Sequence, residues 1–233
     1  ILRNLGNFIS ASTKSEWIDL SCALISACVE DTLADNDICF IAISGGNTPK
    51  AIFESLIQKE FLTPNDWKKV HFYWVDERLV EHESNESNYG NAMKYLGQLP
   101  ANFHPMYDDQ LSEEESVKVY AELLNQVPQL NGLPEFDLIL LGMGDDGHTA
   151  SLFPNSPGLN VTDKAVFINQ IKSLGKSRMT LSFPVLHQAK ETFIIMNGSA
   201  KIKIMQEIME KNSGYPIEQV FQSNNPKTWI YCN

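Results

Sequence analysis

The chain has 233 residues, 43% hydrophobic and 20% charged, which is enough to bury a substantial core. Its 18 Lys and Arg face 29 Asp and Glu, and the formal net charge of −11 argues against non-specific binding to nucleic acid or anionic lipid. No apolar stretch reaches the length of a membrane span and no secretory leader pattern is present, so a cytoplasmic protein is expected.

Residues 15–34 place Trp17, Leu20, Leu24, Ile25, Cys28 and Val29 at helical spacing. ICFIAIS (38–44) is an apolar run of strand length that ends at Gly45-Gly46. Thr48 as N-cap and Pro49 at the first helical position then open a helix to about Lys59. VHFYWVDE (70–77) reads as a second buried strand ending in charge. Helices are expected over 87–96 and 112–127, the latter with acids in its first turn. FDLILLGMG (136–144) is a third buried strand. AVFINQI (165–171), RMTLSF (178–183) and TFIIMNG (192–198) follow as strands. PVLHQA and SAKIKIMQEIMEK are helices, and TWIYC closes the chain as a strand. Apolar strands alternating with helices predict one α/β domain over 1–233, a doubly wound, mostly parallel sheet with helices on both faces.

In such a sheet, function collects in the loops at the carboxyl ends of the strands. The first, SGGNTP (44–49), is a strand–Gly-Gly–helix turn whose backbone N–H groups and helix N-terminus suit an anion. Ser44, Asn47 and Thr48 add side-chain donors, although a plain capped turn would look the same. The second loop places Asp76, Glu77 and Arg78 in succession, and alternation turns one or two of them into the cleft. Arg78 suits a phosphate, a carboxylate or a developing oxyanion; the bland alternative is a solvated salt bridge.

The third loop, GMGDDGH (142–148), has the G-x-G-x-x-G spacing of a dinucleotide turn. Asp145 and Asp146, however, stand where a pyrophosphate would sit, and Asp163 precedes the next strand instead of closing it. No dinucleotide cofactor is expected. Asp146, two residues before His148, fits a different role: a carboxylate that fixes the tautomer of an imidazole that moves protons. Two further cations, Arg178 and Lys201, are surface charge by default, but Lys201 opposes a helix dipole unless an anion offsets it. Cys22, Cys28, Cys39 and Cys232 show no metal-ligand spacing, and there is no G-x-S-x-G or H-E-x-x-H pattern. Neither metal catalysis nor serine chemistry is supported.

SGGNTP, DERLV with SNYGNA (87–92), GMGDDGHTASLFP (142–154), RMTLSFPVLHQA (178–189) and NGSAK (197–201) together resemble the 6-phosphogluconolactonase family. The resemblance spans residues 44–201, and the third motif is the specific one. It implies a Rossmann-like fold shared with glucosamine-6-phosphate deaminases, and metal-free, cofactor-free hydrolysis of 6-phosphoglucono-δ-lactone in the pentose phosphate pathway. It also implies a phosphate held by Gly45, Gly46, Asn47, Thr48, Arg178 and Lys201, with Ser44 in the same loop. His148, oriented by Asp146, would activate water, Arg78 would support the oxyanion, and Asp76 and Asn88 would hold hydroxyls or Arg78. The related deaminases carry a glutamate five residues after the histidine, where this chain has Phe153, and they lack an arginine matching Arg78. A degenerate deaminase would release ammonia. A sugar-phosphate sensor on this fold would need neither His148 nor Arg78 and would normally carry a DNA-binding domain. A monomer acting on a small sugar-phosphate lactone is the expectation.

Overall fold

The computed structural model describes residues 4–232. In chain order the strands are β1 (Asn7–Ala11), β2 (Cys39–Ile43), β3 (Val70–Trp74), β4 (Asp76–Arg78), β5 (Asn102–Phe103), β6 (Gln129–Leu130), β7 (Leu133–Pro134), β8 (Leu138–Leu141), β9 (Val166–Ile171), β10 (Lys176–Leu181), β11 (Glu191–Asn197) and β12 (Lys227–Cys232). The helices are α1 (Lys14–Asp35), α2 (Asn47–Gln58), α3 (Pro64–Trp67), α4 (Asn88–Leu96), α5 (Glu113–Leu124), α6 (Phe183–Gln188) and α7 (Ser199–Glu210).

Seven strands form a parallel sheet in the order β1-β12-β11-β8-β2-β3-β5, surrounded by helices. The innermost strands, β2 and β8, are buried at every position, as a strand covered on both faces must be. The chain runs outward from β2 through β3 to one edge, then returns to β8 and builds toward the other. The crevice between β2 and β8 is therefore the topological switch point, where open α/β sheets place their ligands. No disulfide joins the four cysteines.

Local chemistry accounts for the helix ends. Ser87 caps α4 by accepting from the Gly90 N–H at 2.9 Å, and Ser112 with Glu115 forms a reciprocal capping box on α5. On α1, Trp17, Cys22, Ile25 and Val29 are buried, while Leu20, Leu24 and Cys28 are partly buried against the core.

Three expectations are corrected. The α2 helix begins at Asn47 with Gly46 as N-cap, so neither Thr48 nor Pro49 holds the position expected of it. The reason is backbone: Gly46 takes φ +101°, which turns the chain two residues earlier than a cap at Thr48 would. The strand expected over 70–77 breaks at Val75, and Asp76–Arg78 joins a separate antiparallel sheet, β4-β10-β9. The strand expected over 178–183 ends at Leu181, because Pro184 falls in the first turn of α6, which starts at Phe183.

Candidate active site

The three loops meet above β2 and β8 around a cavity of about 340 Å³, within the range of small-molecule sites. Ser44, Gly45, Gly46, Asn47, Thr48, Asp76, Arg78, Asn88, His148, Arg178 and Lys201 all line it; Asp146 stands behind His148 and does not.

The Ser44 hydroxyl donates to the Leu140 carbonyl at 3.0 Å and accepts from the Gly142 N–H at 3.3 Å, pinning the first loop to the third across the crevice. Gly45 has a steric requirement, since a methyl group there would collide with the Asn88 side chain. Beyond it, α2 opens with no side chain capping its first turn, so its leading N–H groups face the cavity with their positive dipole end. Lys201 sits in the first turn of α7, which likewise has a glycine N-cap and no acid in that turn. The start of α2 and Lys201 thus bring one sign of charge to the same space.

Arg78 and Arg178 are direct cross-strand partners on β4 and β10. Like charges in that position repel, and the Nε–H of each guanidinium is buried without a hydrogen-bond partner. Burial first, then the neighbouring Arg78 charge, lowers the Arg178 guanidinium from its usual value, against the opposing pull of Asp76, Glu86 and Glu77. An anion between the two would satisfy both orphan donors and remove the repulsion.

What holds this pair is legible atom by atom. Arg78 Nη1 donates to the Glu86 carbonyl at 2.6 Å. Glu77, which faces away from the cavity and is 1% exposed, accepts from the backbone N–H groups of Arg78, Asn88 and Tyr89 at 2.7–2.8 Å. Burial raises the Glu77 carboxyl above the usual range, and those three hydrogen bonds oppose the rise. Asn88 donates to the Asp76 carbonyl at 3.0 Å, and Asp76 accepts from the Ser151 hydroxyl at 2.6 Å. Asp76 and Asn88 are therefore tied to each other, while Glu77 and Glu86 hold Arg78. The sequence reading missed Glu77 because its role depends on which face of β4 it takes.

In the third loop His148 Nδ1 lies 2.6 Å from Asp146 Oδ1, which also accepts the His148 backbone N–H at 3.1 Å. Partial burial would raise the Asp146 carboxyl, but these hydrogen bonds and the imidazole charge outweigh it and hold it below the usual range. The contact places the ring proton on Nδ1 and leaves Nε2 as an acceptor at the cavity. The imidazole lies against Gly144, where a methyl group would overlap it. Gly147, at φ +75°, lets the turn close, and its carbonyl accepts from the Ile217 N–H at 3.0 Å. Tyr215 packs on Gly147 and donates its hydroxyl to Glu207 of α7 at 2.7 Å, a support not signalled by any motif. No helix begins after Gly147, as a dinucleotide turn would require; the next helical turn is Pro157–Asn160.

A family model described as glucosamine-6-phosphate isomerases/6-phosphogluconolactonase matches residues 12–230. The chain belongs to this family. It is 34% identical over 222 residues to a 6-phosphogluconolactonase of Chlamydia pneumoniae, covering 93% of this chain and 84% of that protein. A 6-phosphogluconolactonase of Haemophilus influenzae is 35% identical over 196 residues, covering 81% and 82%. The solved 6-phosphogluconolactonase of Thermotoga maritima superposes with a TM-score of 0.84 at 25% identity, over 97% of this chain and 99% of that one. That of Shewanella baltica reaches 0.88 over the full length of both chains at 24% identity, which speaks to the fold. In this chain the histidine of the third loop lines a cation-lined cavity, with its aspartate behind it and Phe153 stacked on the imidazole at 3.9 Å between ring centroids.

Proposed function

We propose that the protein hydrolyses 6-phospho-D-glucono-1,5-lactone to 6-phospho-D-gluconate, as the names of its relatives suggest. The observation that carries this reading is the oriented His148–Asp146 pair facing Arg78, Arg178, Lys201 and the open N-terminus of α2 across one cavity. In this reading the phosphate sits at Gly45, Gly46, Asn47 and Thr48, with Arg178 and Lys201 as further donors, and Ser44 holds the loop in place. His148 Nε2 takes a proton from water as its oxygen bonds to the lactone carbonyl carbon. Arg78 stabilises the tetrahedral oxyanion, a preorganised charge worth about 3 kcal/mol in comparable sites. The bond from that carbon to the ring oxygen then breaks, and His148 returns the proton to the leaving oxygen. Asp146 keeps the imidazole in its tautomer throughout. No step calls for a metal ion or a cofactor.

Position 153 supports a lactonase over a ring-opening deaminase, because a phenyl ring cannot transfer a proton. We take residues 1–233 as one lactonase domain acting as a monomer; a single core cluster running through the described residues supports the single domain. A cytoplasmic setting fits the four thiols outside any disulfide, and no described helix is long and apolar enough to cross a membrane.

The test is proton release on adding freshly made lactone, read against spontaneous hydrolysis in buffer, alongside ammonia release from glucosamine 6-phosphate. Acceleration of the first without the second supports the reading. Ammonia release, or a lactone rate equal to buffer, refutes it.

A further inference from the structure

Phe153 is 6% exposed, yet it stands outside the continuous hydrophobic core formed by almost all other buried apolar side chains. Its ring is covered by the site instead. The imidazole of His148 stacks on it with centroids 3.9 Å apart and planes 20° from parallel. The Arg178 guanidinium carbon lies 5.5 Å from the centroid of the same ring. An aromatic face attracts both groups: the guanidinium through its charge, and the imidazole through stacking that strengthens when the ring becomes cationic.

The backbone beneath the ring is fixed. The Phe153 carbonyl accepts from the Ser156 N–H at 3.1 Å and from the Ser156 hydroxyl at 2.8 Å. Asn169, fully buried on β9, donates to that hydroxyl at 2.9 Å and to the Ser151 carbonyl at 2.8 Å. Ser151 in turn donates to Asp76 in the cavity wall. Phe153 is thus anchored from below and touches a proton-transfer group and an anion-binding group above.

We propose that Phe153 is a positioning residue that sets the imidazole of His148 and the guanidinium of Arg178 in register. This rests on the lactonase reading above. Asp146 holds one atom of the imidazole, which fixes its tautomer but leaves the ring free to tilt about that bond; the phenyl face removes the tilt. The same face restrains Arg178, whose Nε–H has no protein partner. One ring then governs the distance between the phosphate and the attacking water, and misplacement by about an ångström is enough to cost a hundredfold in rate.

The test compares Phe153→Leu, which keeps an apolar side chain, with Phe153→Tyr, which keeps the aromatic face. In Phe153→Leu, kcat/KM for the phosphorylated lactone is expected to fall by roughly 10- to 100-fold, with kcat lowered through His148 and KM raised through Arg178. Phe153→Tyr should recover most of both. A merely structural role would lower kcat through loss of folded enzyme at constant KM, and thermal unfolding reports that loss directly. The ring protons of His148 give a readout independent of activity: stacking shifts them upfield in the parent NMR spectrum, and the shift should vanish in the leucine variant and persist in the tyrosine one. A parent no faster than buffer would sink the lactonase reading and this role with it, whatever the spectrum shows. An active parent whose leucine variant keeps its KM and the His148 shifts would sink this role alone.

Discussion

Replacing Gly144 with alanine tests the geometry of the third loop with a single methyl group. A Cβ built at that position lies 3.0 Å from Nε2 of His148 and closer still to Cε1 and Nδ1. Carbon contacts settle near 3.5–4.0 Å, so the imidazole must retreat by about 1.5 Å. The Gly144 backbone is not in the left-handed region, so alanine suits it and lowers the entropy of the unfolded chain, a gain of about 0.5 kcal/mol. The His148 side chain is 26% exposed and can swing outward, so the stability change should stay within about 1 kcal/mol. Catalysis has no such escape, because the displaced ring leaves both Asp146 and the Phe153 face. A loss of about a hundredfold in kcat is expected, with thermal unfolding near that of the parent. The assay is background-corrected proton release paired with a melting curve. Parent-level kcat in Gly144→Ala would refute the claim that His148 works from the position described.

Lys201→Ala should raise KM for the phosphorylated lactone by roughly 30-fold, the worth of one charge-assisted hydrogen bond, while leaving turnover of an unphosphorylated lactone nearly unchanged. Equal effects on both substrates would remove Lys201 from the phosphate end. A third prediction concerns the far edge of the sheet, where His71 Nδ1 and His104 Nε2 lie 3.0 Å apart and His104 stacks on Tyr73. Burial, then the charge of His71, lowers His104 to about 4, and burial lowers His71. A histidine depressed in the folded state favours folding above its unfolded pKa and loses that contribution as pH falls. Stability should therefore drop by about 2 kcal/mol between pH 6.5 and pH 4, and His104→Gln should flatten this slope in urea unfolding. An unchanged slope would show that the pair does not govern acid sensitivity.

The sequence revealed most about the features that depend on periodicity and least about those that depend on facing. Buried strands such as ICFIAIS are continuous apolar runs, and the capped helices at Ser87 and Ser112 announce their own starts, so the parallel sheet and its loops were readable. The detour of Asp76–Arg78 into a second sheet was not, because three residues carry no period and their partners lie about 100 positions away on β10. That detour makes Arg78 and Arg178 neighbours. Residue chemistry identified His148, Asp146, Arg78 and Lys201 as candidates, while the groups that hold them act through backbone atoms. Glu77 works by accepting three main-chain N–H groups, and Tyr215 by packing on Gly147, neither of which a side-chain motif encodes. The glycines of GMGDDGH show the same limit. Their spacing suggests a phosphate turn, whereas Gly144 makes room for an imidazole and Gly147 closes the turn that aims it.

His148 is the group proposed to draw the proton from water, and every later step depends on it. Proton release from fresh 6-phosphogluconolactone, followed for the parent, His148→Ala and buffer alone, tests it directly. The parent should outpace buffer, and the variant should lose roughly 100- to 10,000-fold in kcat while still binding the phosphorylated product, whose phosphate is proposed to sit at the α2 end of the cavity. A His148→Ala variant that hydrolyses the lactone at the parent rate would contradict the account.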